Sequence, residues 1–521
     1  MKLKNYFIIF IAIGTLLLSM AGCGQNVFEK SGHREKTEKK TLTIGLAQWP
    51  GNLDPADNYN GWYVVKYGIG ETLVKIGKDM KIEPWLAESW TQVDDVTWKI
   101  KIRDNVTFHN GAKVTGDAVK ASLERTVKIN KRAPQLLDIA SIEANGNEIT
   151  VKNNHPNPSF ISALTDPFAV IVDVTAANTM GEEFAEKPVL TGPFKVKDYV
   201  KDVQVVVEKN DVYWGDKAKL DEVTFKYIPD SNTRVMALQA GEIQVANNIP
   251  VESTEAITKT GNYQVVGASS VRTHMIIFNV NKPGLDDINV RKAINMAINR
   301  EDLADKVMEG SGIPAVGPFP LVLPFGGNEL KGYDYRPEEA KKLLDDAGWK
   351  PGPDNIRQKN GKKLELTVLC YKNRPELPVL LETIQGALKD IGIRINIVNV
   401  ENITEALMKG DFDAAIYSLN TAPTGDPQYL LETMFRTGAN SNFGKYSNSR
   451  LDLLADQLKT TFDTRERNSI AREAQQVVLN DAAFAFLVYP KSYMAISDKV
   501  KGIELSPSEY YMLNSDVTVA P

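Results

Sequence analysis

The chain has 521 residues, of which 24% are charged and 43% hydrophobic, and its formal net charge is −5. These fractions are typical of a globular protein and exclude a collagen, a coiled coil or a mainly disordered chain. A mildly acidic chain lacks the basic surface that nucleic acid requires, so no nucleic-acid partner is expected. With 2 cysteines and 4 histidines, neither a disulfide framework nor an all-histidine metal cage is expected.

Residues 1–22 predict a secretory signal peptide. Two lysines precede an apolar run from Phe7 to Leu18, which is shorter than the ~20 residues of a membrane-spanning helix. Met20-Ala21-Gly22-Cys23 resembles a bacterial lipobox, in which the cysteine becomes the lipidated first residue. Residues 23–40 are dense in charge and predict a tether that cannot fold alone. We therefore expect a protein anchored through Cys23 at the outer face of the cell membrane.

Along the remaining chain, alternating apolar positions predict strands, and apolar residues three and four apart predict helices. The predicted strands are 41–47, 98–103, 148–152, 203–208 and 222–227. The predicted helices are 117–127, capped by Thr115, and 290–298, followed by a helix capped by Asn299.

Residues 364–398 predict a strand, a helix and a second strand, with Gly392 ending the helix. Such a unit of about 35 residues is typical of a right-handed parallel crossover, which makes at least the C-terminal half α/β. Cys370 falls on the same strand face as Leu364, Leu366 and Val368, so we expect a buried structural thiol.

The sequence contains no GxSxG, HExxH, Walker A or GxGxxG motif in a suitable context. A secreted hydrolase that uses scattered carboxylates therefore has little support, and it is kept only as an alternative function of another class. Aromatic residues cluster just after the first strand, where ligands bind in α/β sheets. They are Trp49, Tyr59, Trp62, Tyr63 and Tyr67.

Several stretches resemble the extracellular solute-binding proteins of peptide and nickel ABC importers, known as family 5. They occur in the family's order: 53–55, 84–90 (PWLAESW), 108–111 (FHNG), 191–194 (TGPF), 237–243 (ALQAGEI), 290–293 and 340–349. His109 belongs to the turn at 108–111 that is common in the family, so we expect a structural role for it.

The resemblance implies a two-lobed, periplasmic-binding-protein-like α/β fold with a hinge and an extra subdomain on the first lobe. We predict lobe I from residues 41–80, 190–278 and 495–521, the extra subdomain from 81–189, and lobe II from 279–494. The resemblance also implies a monomer that catalyses no reaction, needs no catalytic cofactor and delivers a ligand to ABC permease subunits.

Peptide and nickel are the two ligands that the resemblance leaves to be decided. Peptide binders of this family carry an aspartate shortly before a late Asp-Pro pair, where it anchors the ligand's ammonium group. Here the pair is Asp426-Pro427, and the expected position holds Pro423, which carries no charge. This pattern resembles the nickel-binding branch, so nickel is favoured and a di- or oligopeptide ligand is the alternative.

Nickel is expected as a chelate with an organic acid, histidine or a metallophore, because the chain has few histidines of its own. Carboxylates on the outside of a chelate suit the bidentate forks of arginines. Arg132 matches the position of a chelate-binding arginine in the nickel branch. Arg272 and His274 share one strand face, and His274 is our candidate for a direct metal contact.

The second half of the chain offers further candidates, again by resemblance to opine-metal binders. Arg436, Asn440 and Asn442 lie in one polar loop. Walls for the ligand are expected from Tyr417 and Tyr429, and from Trp49 and Tyr59.

Overall fold

The computed structural model describes residues 39–372 and 374–520, without the side chain of Asn328. The predicted signal peptide, most of the tether and Cys23 lie outside these residues. No helix in the described residues is long and apolar enough to cross a membrane. Residues from Lys39 onward form one compact unit.

A twelve-stranded sheet runs through this unit and joins two lobes through one long strand, Phe484–Ser497. Residues 491–497 of that strand pair with strands of the first lobe, and residues 484–490 pair with strands of the second. Its two apolar ends, 484–490 and 494–496, are buried, whereas residues 491–493 between them are partly exposed. The strand is therefore a hinge element that belongs to both lobes.

The first lobe has its own apolar core around Ile44, Phe225 and Met494. Its other sheet strands are Thr41–Leu46, Phe194–Val200, Gln204–Lys209, Glu222–Tyr227, Val245–Asn247 and Tyr263–Ser269. Its helices are Gly61–Lys66, Val174–Met180, Ser231–Gln239 and Thr254–Lys259. Residues 500–519 return to this lobe, where Val500–Lys501 pairs with Thr518–Val519.

An antiparallel sheet with its own core forms the extra subdomain. Its strands are Ala87–Gln92, Thr97–Ile102, Glu148–Asn153 and Ile139–Asn145, in that order across the sheet. The helices Gly116–Ile129, Ala133–Leu137 and Phe160–Ala163 pack beside it, and a hairpin, Val74–Ile76 with Ile82–Pro84, precedes it. The predicted cap is confirmed, because the Thr115 side chain accepts a hydrogen bond from the Ala118 N–H.

The second lobe contains the predicted parallel crossover. Strand Glu365–Cys370 pairs in parallel with Arg394–Asn399, and helix Glu376–Asp390 connects them. Cys370 is buried, as predicted. The other sheet strands are Arg272–Phe278, Gly312–Pro314 and Ala414–Asn420. The other helices are Ile288–Ala297, Arg300–Asp302, Pro337–Asp346, Ile403–Lys409, Gln428–Leu430, Ser449–Leu458 and Thr464–Asn480.

The lobe boundaries differ from those drawn on the sequence. Strand Arg272–Phe278 pairs with Ala414–Asn420 and so lies in the second lobe, and not in the first lobe as predicted. Residues 491–494 pair with Tyr263–Ser269 and so lie in the first lobe. Both differences arise because antiparallel pairing joins segments that are far apart in the chain, and local patterns do not record the partner.

Candidate functional site

A cavity between the two lobes is the candidate ligand site. It encloses about 50 Å³ of space for water-sized molecules and opens to solvent. Helix Gly61–Lys66 lines it from the first lobe and Arg374 from the second, and the segment 505–512 closes one side. Its lining is polar and includes Gln48, Tyr63, Lys66, Asn247, Ser270, Arg374, Ser506 and Glu509.

Glu509 is the carboxylate around which the cations of this cavity gather. Arg272 donates to it through Nε (2.9 Å, to Oε1) and Nη2 (2.7 Å, to Oε2), which is a bidentate pair. Arg374 Nη2 lies 3.8 Å from Oε2. Burial alone would raise the pKa of Glu509, but Arg272, Arg374 and Lys66 outweigh burial and hold it well below its usual range. Glu509 is therefore ionised and orders the guanidinium groups.

Two cations of the cavity are not matched in this way. Among the described residues, Lys66 Nζ has no carboxylate within 4.0 Å and no hydrogen-bond acceptor, and the guanidinium group of Arg374 makes no hydrogen bond. Burial lowers the pKa of Lys66; Glu509 acts against this shift, whereas the positive charges of Arg272 and Arg374 add to it. Ser270 Oγ is also buried without a partner at the cavity. These groups offer N–H and O–H donors to an anion.

His274 lies two residues after Arg272 on the same strand and is fully buried. Its Nε2 is 3.0 Å from Glu376 Oε1, and its Nδ1 has no partner. Burial lowers the pKa of His274, although Glu376 acts in the opposite direction. His274 is therefore neutral at pH 7, and a direct metal contact through Nδ1 stays a prediction.

Arg132 organises a second cluster, at the extra subdomain. Its guanidinium donates to both carboxylate oxygens of Asp166, at 2.8 and 3.3 Å, and its centre lies 4.3 Å from the ring centroid of Tyr59. Nη1 also reaches the hydroxyl of Tyr429 in the second lobe, at 3.4 Å. Burial would lower the pKa of Arg132, but the charge of Asp166 outweighs it and raises the pKa. Most N–H groups of the Arg132 guanidinium thus donate hydrogen bonds within the protein.

Local structure explains this position of Arg132. Asn130 accepts a hydrogen bond from the Arg132 N–H at 3.0 Å and donates to the carbonyl groups of Ala56 and Asn58. Asp166 accepts from the Phe168 N–H at the start of the 3₁₀ turn Pro167–Ala169. Asn130 and Asp166 are therefore held by hydrogen bonds to backbone groups of the protein, independently of a ligand.

Aromatic rings surround this arginine. Tyr59 packs edge-to-face on Trp62 at 5.5 Å between ring centroids, and Trp62 packs on Tyr510 at 5.3 Å. Trp62 Nε1 and the Tyr510 hydroxyl are buried without a hydrogen-bond partner among the described residues. Tyr417 borders this cluster from the second lobe, and its ring centroid lies 6.5 Å from that of Tyr371. The wall thus combines flat apolar surface with free donors.

The other predicted site residues lie elsewhere. Trp49 packs on Tyr199 and Tyr227, with ring centroids 6.2 and 5.9 Å apart. Arg436 pairs with Glu432 (3.1 Å) and Asp456 (2.7 Å). Asn440 is exposed, and Asn442 is used in a turn, where its amide contacts the backbone of Arg436 and Tyr446. The structure brings these four residues into neither the cavity nor the Arg132 cluster.

Sequence reasoning missed Lys66, Arg374, Glu509 and Asp166. Arg374 follows the first strand of the crossover, and loops at the carboxyl ends of parallel strands are where ligands bind, so that signal was available. Glu509 carried no signal, because it meets Arg272 from 237 residues away.

His109 has the structural role that was expected of it. Its Nε2 lies 3.2 Å from the Gly192 carbonyl, and its Nδ1 accepts from the Leu190 N–H.

The region of the expected peptide anchor has no carboxylate at Pro423. The nearby Asp426 is engaged by Arg467 Nη2, at 2.8 and 2.7 Å. Within residues 39–372 and 374–520, no group of three or more histidine, cysteine, aspartate or glutamate side chains is arranged to hold a metal ion.

Residues 81–442 match the model of the bacterial extracellular solute-binding proteins, family 5 Middle. The chain belongs to this family. Its members are binding proteins that serve transport, so the hydrolase alternative is set aside, and the two-lobed fold and the absence of catalysis follow from membership. An extracytoplasmic location follows as well.

Similarity to nickel-binding members extends over the whole chain. The nickel-binding protein NikA of Staphylococcus aureus is 30% identical over 520 residues, which is 100% of both chains. The structure of NikA from that organism with Ni(L-His)2 matches with a TM-score of 0.83 and 31% identity, over 92% of this chain and 100% of that one. A nickel ABC transporter protein from Bacillus halodurans matches with a TM-score of 0.73 and 33% identity, over 92% and 100%.

A peptide-binding relative has a similar fold. AppA from Bacillus subtilis, in complex with a nonapeptide, matches with a TM-score of 0.80 and 26% identity, over 93% of this chain and 100% of that one. Fold similarity alone therefore does not separate the two ligand classes.

Proposed function

We propose that this protein captures nickel as an organic chelate between its lobes and delivers it to the permease of an ABC importer. The observation that carries the proposal is the interlobe cavity, where Lys66 and Arg374 face one shared carboxylate, Glu509. Such a cavity suits a ligand with outward carboxylates, because charge-assisted hydrogen bonds to carboxylate are strong when both groups leave water. The nickel-binding relatives support the metal.

In this proposal the Arg132 cluster forms the second contact. Tyr59, Tyr417 and Tyr429 provide a wall, and Arg132 donates to the chelate through Nε–H, which has no hydrogen bond to the described residues. Arg272 acts by holding Glu509 in place. Contacts from His274, Trp49, Arg436, Asn440 and Asn442 stay predictions of the sequence. A lipid on Cys23 would keep the monomeric protein beside its permease.

A peptide is the second candidate ligand. The nonapeptide held by AppA favours it, and Arg374 could receive a peptide carboxylate. Against it, Pro423 offers no counter-charge for a peptide's ammonium group, and a buried unpaired ammonium group is costly.

Isothermal titration calorimetry separates these ligands. The purified protein is titrated with nickel alone, nickel with two equivalents of L-histidine, L-histidine alone, glutathione, and di- to pentapeptides. We expect heat with nickel-histidine at micromolar affinity or tighter, and none with peptides. Binding of peptides at micromolar affinity, with no heat from any nickel species, would replace the nickel proposal with the peptide one.

A further inference from the structure

Lys66 stands at the last position of helix Gly61–Lys66 and lines the interlobe cavity. Its backbone carbonyl accepts a hydrogen bond from the Leu513 N–H at 3.1 Å, which ties this helix end to the C-terminal segment. The ammonium group has no ion pair and no hydrogen bond with the part of the chain that the structure describes. Nothing in the fold described above uses this charge.

The charges around the cavity do not balance. Three cations, Lys66, Arg272 and Arg374, stand beside two carboxylates, Glu509 and Glu376. Arg272 occupies both oxygens of Glu509, and Glu376 accepts from His274, which is neutral. One positive charge is left over, and Lys66 carries it with the least compensation.

An unpaired charge that becomes buried is unfavourable, so closure of the lobes over Lys66 favours a ligand that brings a negative charge. Ser270 supports this argument independently. Its hydroxyl is buried at the same cavity and has no partner among the described residues. An outward carboxylate would accept from Lys66, Arg374 and Ser270 together.

We propose that Lys66 selects chelates that carry a net negative charge over neutral chelates of the same metal. This inference rests on the proposed function and names the charge class of its ligand. A nickel ion with two histidinates is neutral, whereas nickel with one trianionic aminocarboxylate carries one negative charge. The neutral chelate leaves the net positive charge of the cavity uncompensated, and the anionic one compensates it.

The test compares nickel–bis-histidine with nickel–nitrilotriacetate by calorimetry on the wild type and three variants. Lys66→Met removes the charge, Lys66→Arg keeps it, and Lys113→Met changes an exposed lysine of the extra subdomain. We expect Lys66→Met to weaken nickel–nitrilotriacetate at least tenfold and nickel–bis-histidine less than threefold. Lys113→Met should stay within threefold of the wild type for both chelates, and Lys66→Arg should keep the preference for the anionic chelate.

Salt dependence gives a second measurement that does not need a folded Lys66→Met variant. In the wild type, raising ionic strength should weaken the anionic chelate more than the neutral one. Equal losses for both chelates in Lys66→Met, or equal salt dependence, would overturn the selection by charge while leaving nickel binding intact. Failure of the wild type to bind either chelate would instead reject the proposed function, and the inference with it.

Discussion

Arg467 Nη2 donates a hydrogen bond to Ser159 Oγ at 2.8 Å, although Ser159 lies in the extra subdomain and Arg467 in the second lobe. Both side chains are buried. The Ser159 hydroxyl in turn donates to Gln428 Oε1 at 2.7 Å, and Arg467 also binds Asp426. The Arg467–Asp426 ion pair of the second lobe thus includes a hydrogen bond to the Ser159 hydroxyl of the extra subdomain.

Ser159→Ala should therefore destabilise the closed arrangement without touching the ligand. Loss of a hydrogen bond to a charged group corresponds to about 1.5–3 kcal/mol, and solvent or Gln428 recovers part of it. We expect the chelate to dissociate about three to tenfold faster, with little change in the association rate. Stopped-flow measurements test this, and Ser141→Ala, at an exposed position of the subdomain sheet, is the control. Unchanged dissociation would show that this contact does not contribute to closure.

Arg132→Ala should weaken chelate binding by roughly 1.5–3 kcal/mol, the range for charge-assisted hydrogen bonds. Because the variant also leaves Asp166 buried without its cation, thermal unfolding must be measured beside calorimetry. The double variant Arg132→Met with Asp166→Asn removes that unpaired charge. Both variants should lose chelate affinity, whereas only the single variant should lose several degrees of melting temperature. Wild-type affinity in the double variant would remove Arg132 from the site.

Glu509→Gln should both destabilise the protein and tighten its binding of anions. The change leaves Arg272 without its bidentate partner, and breaking a buried pair from one side costs about 3–5 kcal/mol. An anionic chelate would replace part of the lost charge, so it should raise the melting temperature more in the variant than in the wild type. Glu504→Gln, whose exposed carboxylate pairs with Lys78, is the matched control. Equal ligand-induced shifts would contradict the role of Glu509 as the counter-charge.

His109 predicts a loss of stability in mild acid. Burial lowers its pKa from 6.5 to about 4, because the imidazolium would have to leave water. The unfolded chain therefore binds the proton first as pH falls, so the free energy of unfolding should decline between about pH 6.5 and pH 4. His109→Gln should reduce this decline, whereas His155→Gln, at an exposed histidine, should not. Parallel pH profiles for wild type and His109→Gln would refute the assignment.

Local pattern was sufficient for the crossover 364–398, whose strands are parallel as predicted, and for the cap at Thr115. It was insufficient wherever the partner is distant in the chain. The alternation around Arg272 predicted a strand and its faces, but not the pairing with Ala414–Asn420 that moves it to the second lobe. Arg132 was found through a family motif, whereas Asp166, which holds it, was not, because no short-range pattern links residues 34 positions apart.

The strand Phe484–Ser497 makes backbone hydrogen bonds with strands of both lobes. Without it, strands in each lobe would lose their hydrogen-bonded neighbour. Loss of order in this segment would expose unpaired backbone groups in both halves at once. The two lobes should consequently melt together, in one cooperative transition with matching calorimetric and van't Hoff enthalpies, although each has its own apolar core. A rotation of the lobes that opens the cleft must then twist this shared strand. The two lobes therefore do not move independently of each other.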